Sequence, residues 1–386
     1  MEIAVVIVGA GPSGIATSAC LNLHSISNIV LEREDCSASL WRKRAYNRLN
    51  LHLAKEFCQL PHMPHPPNAP TFLSKKDFIN YIDDYVTHFN VNPIYRQSVE
   101  SARYDATIGR WRVEAKDTCS GEVIEYIARF LVVATGENSE GSIPEIPGLD
   151  TFSGDVIHSS QFKSGKSYSG KAVLVVGSGN SGMEIAYDLS NYGAVASIVI
   201  RNPSHIVTKE IVHLGMVLLK FLPLSLVDSL TLIQSRWKFG DLSKYGLRRP
   251  KEGPFFIKAT KGHSPVLDVG TIGKIKTGEI KVLPALKGLK GNEATFANGE
   301  AHCFDAIVFA TGYISTAKRW LQDGDDLLNK DGMPRSRFPN HWKGKMGLYC
   351  AGFSSRGLDG VATDARMIAE DIKKICMEEE LEPPLK

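Results

Sequence analysis

Twice in this chain a continuous apolar, β-branched run ends in Gly-x-Gly-x-x-Gly and passes into a helical pattern. The first run is Ile3–Val8, followed by Gly9-Ala-Gly11-Pro12-Ser13-Gly14. The second is Ala172–Val176, followed by Gly177-Ser-Gly179-Asn180-Ser181-Gly182. Runs of this kind are strands buried on both faces. Glycines at that spacing let backbone approach a pyrophosphate, and the helix N-terminus offers it free N–H groups and a favourable dipole. One such match constrains little. Two in 386 residues restrict the chain to an α/β fold with two Rossmann-like dinucleotide-binding domains, each long enough for its own core.

The two modules differ where the second strand ends. In the first, Asn28–Leu31 runs into Glu32, about twenty residues beyond the glycines, the place of a ribose-binding acid. In the second, Ala196–Ile200 runs into Arg201, and a base there favours a 2′-phosphate. FAD in the first module and NADPH in the second follow as expectations. A further echo supports the pairing. Phe130–Val133 ends in Ala134-Thr135-Gly136, and Ala306–Phe309 ends in Ala310-Thr311-Gly312. Both read as strands finishing beside a bound dinucleotide, where small residues permit close approach and the chain leaves a domain. The expected organisation is a discontinuous FAD domain, 1–164 and 305–386, with the NADPH domain, 165–304, inserted.

Between the modules the pattern is coarser. Pro61, Pro64, Pro66, Pro67 and Pro70 mark a rigid loop, and Ser74 with Asp77 marks a helix start for 75–89. Residues 97–133 alternate as a small antiparallel insertion, with Glu122–Ile127 and Phe130–Val133 as separate strands. Residues 205–239 are apolar but broken by charges and Pro223, so they read as packed helices rather than a span. Residues 265–283 return to a sheet. Late in the chain, Gly357-Leu-Asp359-Gly360 opens a helix whose N-terminus is suited to the electron-rich end of a flavin. The tail, 378–384, is expected to fray.

Composition excludes several classes. With 45 basic and 42 acidic residues there is no nucleic-acid footprint. Seven cysteines without a C-x-x-C pair indicate a reducing, cytoplasmic setting, no metal site and no redox dithiol. The first strand begins almost at Met1, so no secretory signal is expected, and no transmembrane segment.

The connector Phe152-x-Gly154-x-x-x-His158-x-x-x-Phe162 resembles the F-x-G-x-x-x-H-x-x-x-(Y/W) signature of class B flavin-containing monooxygenases. The segments RLNLHLAKEFCQLPHMPHP, GNSGMEIAYDL, YGLRRPKEGP and GFSSRGLDGVATDARMIAEDI are similar to the plant YUCCA type. That resemblance implies that NADPH reduces FAD and that O2 forms a C4a-(hydro)peroxyflavin. This species would decarboxylate an aromatic 2-oxo acid, indole-3-pyruvate, to indole-3-acetate, the auxin hormone. It also implies a catalytic place for His52, where animal members carry Asn. A homodimer is among the assemblies it allows. The sequence departs from the signature at Phe162, which lacks the Tyr hydroxyl or Trp N–H.

Individual residues carry paired readings. Asn180 either reaches the nicotinamide or caps its helix. His158 orders the connector. Trp41 and Lys55 line the FAD site or are structural. Arg248 and Arg249 meet a carboxylate or phosphate, or lie in a solvated loop. Two other functions compete with the lead: a general N- or S-oxygenating flavin monooxygenase, and a non-catalytic cofactor-binding protein acting through 205–239.

Overall fold

The structure, a computed structural model, describes residues 2–381. The chain divides into two compact units, residues 1–43, 55–140 and 313–386 in the first and 44–54 and 141–312 in the second. The expected boundaries at 164/165 and 304/305 therefore move. The reason is sheet pairing: strands Asp155–His158 and Ala306–Phe309 hydrogen-bond to each other, and the latter to Ala172–Val176. The excursion of 44–54 into the second unit was not expected.

The first unit is built on a seven-stranded sheet among the described residues, with Pro93–Tyr95, Asn28–Glu32, Glu2–Val8, Val123–Val133, Arg110–Asp117 and Gln97–Asp105 in spatial order. Strand Val123–Val133 joins its two halves, and is one element rather than the two expected. Toward its start it pairs antiparallel with Arg110–Asp117, and toward its end it pairs parallel with Glu2–Val8 and Leu348–Cys350. The sequence explains the change. Val123–Ile127 alternates in burial, as for a sheet with one wet face, whereas Phe130–Val133 is buried throughout. Helix Pro12–Leu23 packs against helix Gly357–Leu381, which continues through the start of the tail expected to fray. Pro383 and Pro384 lie outside the described residues.

The second unit has a fully parallel five-stranded sheet among the described residues, in the order Ile280–Leu283, Val195–Val199, Ala172–Val176, Ala306–Phe309 and Asp155–His158. Its core clusters Phe162, Val173, Val175, Met183, Ile185, Leu189 and Ile198 with Tyr46, which comes from the excursion. Each such aliphatic side chain contributes roughly 1.5–3 kcal/mol by burial. Phe162 is 1% exposed and stacks on Tyr168 with centroids 6.1 Å apart. The departure from the signature thus falls on a packing position.

In the first unit, helix Lys75–His88 begins as its sequence indicates. The Ser74 hydroxyl accepts the Asp77 N–H at 3.1 Å, and the Asp77 carboxylate accepts the Ser74 N–H at 3.1 Å. Phe78, Tyr81, Ile82 and Tyr85 are buried from its inner face. Tyr81 and Tyr85 donate from their hydroxyls to the Met63 and Pro61 carbonyls, at 2.6 and 3.0 Å, and so anchor the proline loop. Ser74→Ala removes this reciprocal cap. Chemical denaturation is expected to show a loss of about 1 kcal/mol.

Candidate functional site

In the first unit Gly9 has φ +108° and its N–H donates to the Leu31 carbonyl at 2.8 Å. A Cβ on Gly9 would stand 2.7 Å from the Ala134 carbonyl oxygen, and one on Gly14 would stand 1.9 Å from the Gly9 carbonyl oxygen. Both glycines are demanded by the protein's own backbone. Gly11 is different, since a Cβ there meets nothing within 4 Å. The space beside that glycine is open, so a backbone or ligand can approach it closely. Pro12 is the first residue of the helix, and Ser13 beside it is buried under Gly352, where a Cβ would stand 2.0 Å from the Ser13 hydroxyl.

Glu32 is buried against this loop. Its carboxylate accepts the Ala10 N–H at 2.7 Å and the Glu34 N–H at 3.0 Å. Burial raises its pKa, with the two backbone N–H groups pulling the other way. Its position at the cradle matches a ribose-binding acid, and a carboxylate has acceptor capacity beyond those two bonds. On the opposite side the Ala134 N–H donates to Val8 at 2.9 Å, Gly136 has φ +81°, and the Thr135 hydroxyl is buried without a partner. A buried hydroxyl on this turn and an open glycine on the other loop are features that a dinucleotide would satisfy.

The second unit repeats the arrangement. Gly177 has φ +115°, and a Cβ on it would stand 2.4 Å from the Ala310 carbonyl oxygen. One on Gly182 would stand 1.9 Å from the Gly177 carbonyl oxygen, and one on Gly179 meets nothing. The Ala310 N–H donates to Val176 at 2.9 Å, and the Thr311 hydroxyl donates to the Ser142 carbonyl. Gly312, with φ +92°, offers its carbonyl to His158 Nε2 at 3.0 Å. The bond to that carbonyl places the proton on Nε2, and Nδ1 sits 3.0 Å from the Ser160 hydroxyl. Burial lowers the His158 pKa, so the ring is a neutral strut that orders the connector.

Several expected site residues have partners within the protein. Lys55 donates from its ammonium to the carbonyls of Pro66, Pro67 and Ala69, at 3.2, 2.8 and 2.6 Å. It clamps the proline loop, and its three donors are used. Trp41 lies on a π-helical turn, Leu40–Arg44, its ring 4.6 Å from that of Phe78. Gly360 lies one turn inside its helix. A Cβ there would stand 1.9 Å from the Ser354 hydroxyl, so a neighbouring side chain already accounts for the glycine. Asn180 is the first residue of its helix rather than the cap, which is Gly179. Its side-chain carbonyl accepts the Leu267 N–H at 2.7 Å. Ser181 follows it, beside the Tyr46 hydroxyl. Arg201 is exposed beyond its strand. A small depression beside the second cradle is lined instead by Ser178, Ile200, Asn202, Ser204 and Arg248. Arg249 is turned inward, donating to the Gly240 carbonyl at 3.0 Å.

His52 belongs to the second unit, within the excursion 44–54. Its Nε2 is 2.9 Å from Glu184, whose side chain is 3% exposed against 28% for the histidine. Tyr46 lies buried beside the same carboxylate, and burial first and the Glu184 charge second push its hydroxyl above the usual phenol range. Lys209 donates to the Leu51 carbonyl at 3.2 Å, and burial lowers its pKa. Glu184 was missed in the sequence. Its signal was an acid set between Met183, Ile185 and Ala186, all buried.

A family model described as flavin-binding monooxygenase-like matches residues 2–333. The chain is 55% identical over 97% of its length, and 98% of the relative, to the probable indole-3-pyruvate monooxygenase YUCCA10 of Arabidopsis thaliana. It is 47% identical to the indole-3-pyruvate monooxygenase YUCCA6 of the same plant, over 97% of this chain and 91% of that one. Among solved structures, a flavin-containing monooxygenase from Stenotrophomonas maltophilia superposes with TM-score 0.73 at 19% identity, covering 97% and 99% of the two chains. A bacillithiol disulfide reductase from Bacillus cereus reaches 0.70 at 18%, covering 97% and 100%. Those likenesses establish the two-module Rossmann fold.

The glycines separate folding from ligand binding. Gly11→Ala and Gly179→Ala are expected to keep thermal stability within about 0.5 kcal/mol of the parent while losing dinucleotide affinity. Gly14→Ala and Gly182→Ala, which drive a Cβ into a carbonyl, are expected to lose at least about 2 kcal/mol. Melting curves of the ligand-stripped proteins, read beside dinucleotide titrations, check both halves.

Proposed function

The chain belongs to the flavin-binding monooxygenase-like family, among the plant indole-3-pyruvate monooxygenases, and from that premise we propose that it converts indole-3-pyruvate to indole-3-acetate. The balanced reaction takes up the 2-oxo acid, NADPH, O2 and one proton. It releases indole-3-acetate, carbon dioxide, NADP+ and water. The observation that carries this reading is the pair of cradles, each with one glycine beside which the space is open.

In this reading the first unit holds FAD at Gly9–Gly14, with Glu32 at the ribose and the Thr135 hydroxyl given its missing partner. The second holds NADPH at Gly177–Gly182. Bound flavin, once reduced, supplies the oxygen activation that no side chain can. Arg248, with Arg201, takes the 2′-phosphate. His52 and Asn180 are the proposed catalytic residues. With Glu184 accepting from Nε2–H, the Nδ1 of His52 is left to take up or release a proton. Asn180, its carbonyl occupied by Leu267, keeps its amide N–H groups for a ligand. The carboxylate of Glu184 positions the imidazole and acts as its counter-charge. The seven cysteines are all free, which fits a reducing cytoplasmic setting. A homodimer is compatible with this reading.

The purified protein is expected to be yellow and to oxidise NADPH on addition of indole-3-pyruvate, with one carbon dioxide per NADPH. NADPH consumption that yields only hydrogen peroxide would reject the proposal. Oxygenation of amines or sulfides without decarboxylation would replace it with the general oxygenase. Arg248→Ala is expected to raise KM for NADPH by about tenfold or more, as for loss of a charge-assisted hydrogen bond, and to leave KM for NADH unchanged. Steady-state kinetics with both nucleotides check it.

A further inference from the structure

Helix Leu224–Phe239 of the second unit is built inside out. Its buried face is Val227, Asp228, Thr231, Ser235 and Phe239, of which three are polar. Two of the polar ones have hydrogen-bond partners. Asp228 accepts the Phe255 and Phe256 N–H groups at 2.8 and 3.0 Å, and so caps helix Pro254–Lys261. Ser235 donates to the Ile206 carbonyl at 2.6 Å. The bulky apolar residues lie outside. Leu226, Ile233 and Trp237, at i, i+7 and i+11 on one stripe, are 46%, 64% and 90% exposed. Phe221, in the turn before this helix, is 78% exposed. Leu214 on helix Lys209–Leu218 and Phe256 on helix Pro254–Lys261 are exposed too. The three helices pack together, with a Cβ on Gly215 only 2.5 Å from the Phe255 ring. Scattered exposed apolar residues need no explanation; six large ones on one three-helix layer do.

Charge indicates what covers them. Residues 209–262 carry ten Lys or Arg against four Asp or Glu, whereas the rest of the chain carries 35 against 38; setting aside Lys209, Arg248 and Arg249, which have other roles above, seven of the ten remain. Lys220 precedes Phe221 in sequence, and Arg236 and Lys238 flank Trp237. We propose that this layer rests on an anionic phospholipid surface, with the aromatic and aliphatic side chains at the headgroup boundary and the cations among the headgroups. A second copy is the poorer occupant, because apposing two such segments brings like charges together. No helix among the described residues is long and apolar enough to cross a membrane, so the contact is peripheral.

Co-sedimentation of the cofactor-loaded protein with phosphatidylcholine vesicles, with and without phosphatidylserine, tests this. The protein is expected to sediment with the phosphatidylserine vesicles and to be released between about 0.1 M and about 1 M salt. The double variant Ile233→Ser/Trp237→Ser is expected to reduce partitioning at least about tenfold while keeping the parent's rate of NADPH oxidation. Lys220→Glu/Lys238→Glu is expected to weaken binding to phosphatidylserine vesicles only. No binding to the anionic vesicles overturns the proposal, as does binding that the serine variant leaves unchanged. Sedimentation velocity showing a parent dimer that the serine variant makes monomeric, without vesicle binding, overturns it in favour of a second copy.

Discussion

The structure depends on one contact made twice, between two backbones. In each unit the glycine that ends the first strand faces the carbonyl of an alanine ending its neighbour, Ala134 in one case and Ala310 in the other. The third glycine of each motif closes onto the carbonyl of the first. No side chain fits in either gap. Once those gaps are closed, the strand, the following helix and the small-residue turn are locked at one spacing, and the middle glycine is left open on the outer side. The ligand loop is thus a by-product of packing, with one position released from it. Its N–H groups and the helix dipole then select for anions.

This explains what was legible in the chain and what was not. The glycines, the Ala-Thr-Gly echoes and the Ser74–Asp77 cap are local devices, so their spacing carries their meaning. Glu32 was readable for the same reason, because strand geometry puts it at the loop. Lys55 and Gly360 have partners that no local pattern announces, because a residue type does not say which neighbour meets it. Three carbonyls of the proline loop take the lysine, and the Ser354 hydroxyl explains the glycine. Strand Asp155–His158 was assigned to the wrong unit because parallel pairing to a segment about 150 residues away leaves no local trace. Membership of 44–54 in the second unit was invisible for the same reason.

Function is not decided by the fold. A disulfide reductase shares the architecture at nearly the same TM-score as a monooxygenase. Cys20, Cys58 and Cys350 are buried, and burial raises the pKa of each, so they are poor nucleophiles. What marks this chain is instead a buried polar group in the second unit, where Glu184 meets His52 and Tyr46. A charge held that deep is costly without partners and stays only where they are supplied.

Those partners arrive by an unusual route. The chain leaves the first unit after Lys43, returns at Lys55, leaves again after Glu140 and returns at Tyr313. During synthesis, residues 44–54 emerge long before the rest of their unit exists. The first unit must likewise wait for Leu348–Cys350 and the helix beyond it to complete its own sheet and cover. The second unit has all of its residues once Gly312 is made, whereas the first still lacks Leu348–Cys350, so the first cannot be completed ahead of the second. A fragment spanning only 141–312 would carry Glu184 without its histidine, and a shortened C-terminus would leave an N-terminal sheet unclosed. The module whose first strand is made first is thus the last to be completed.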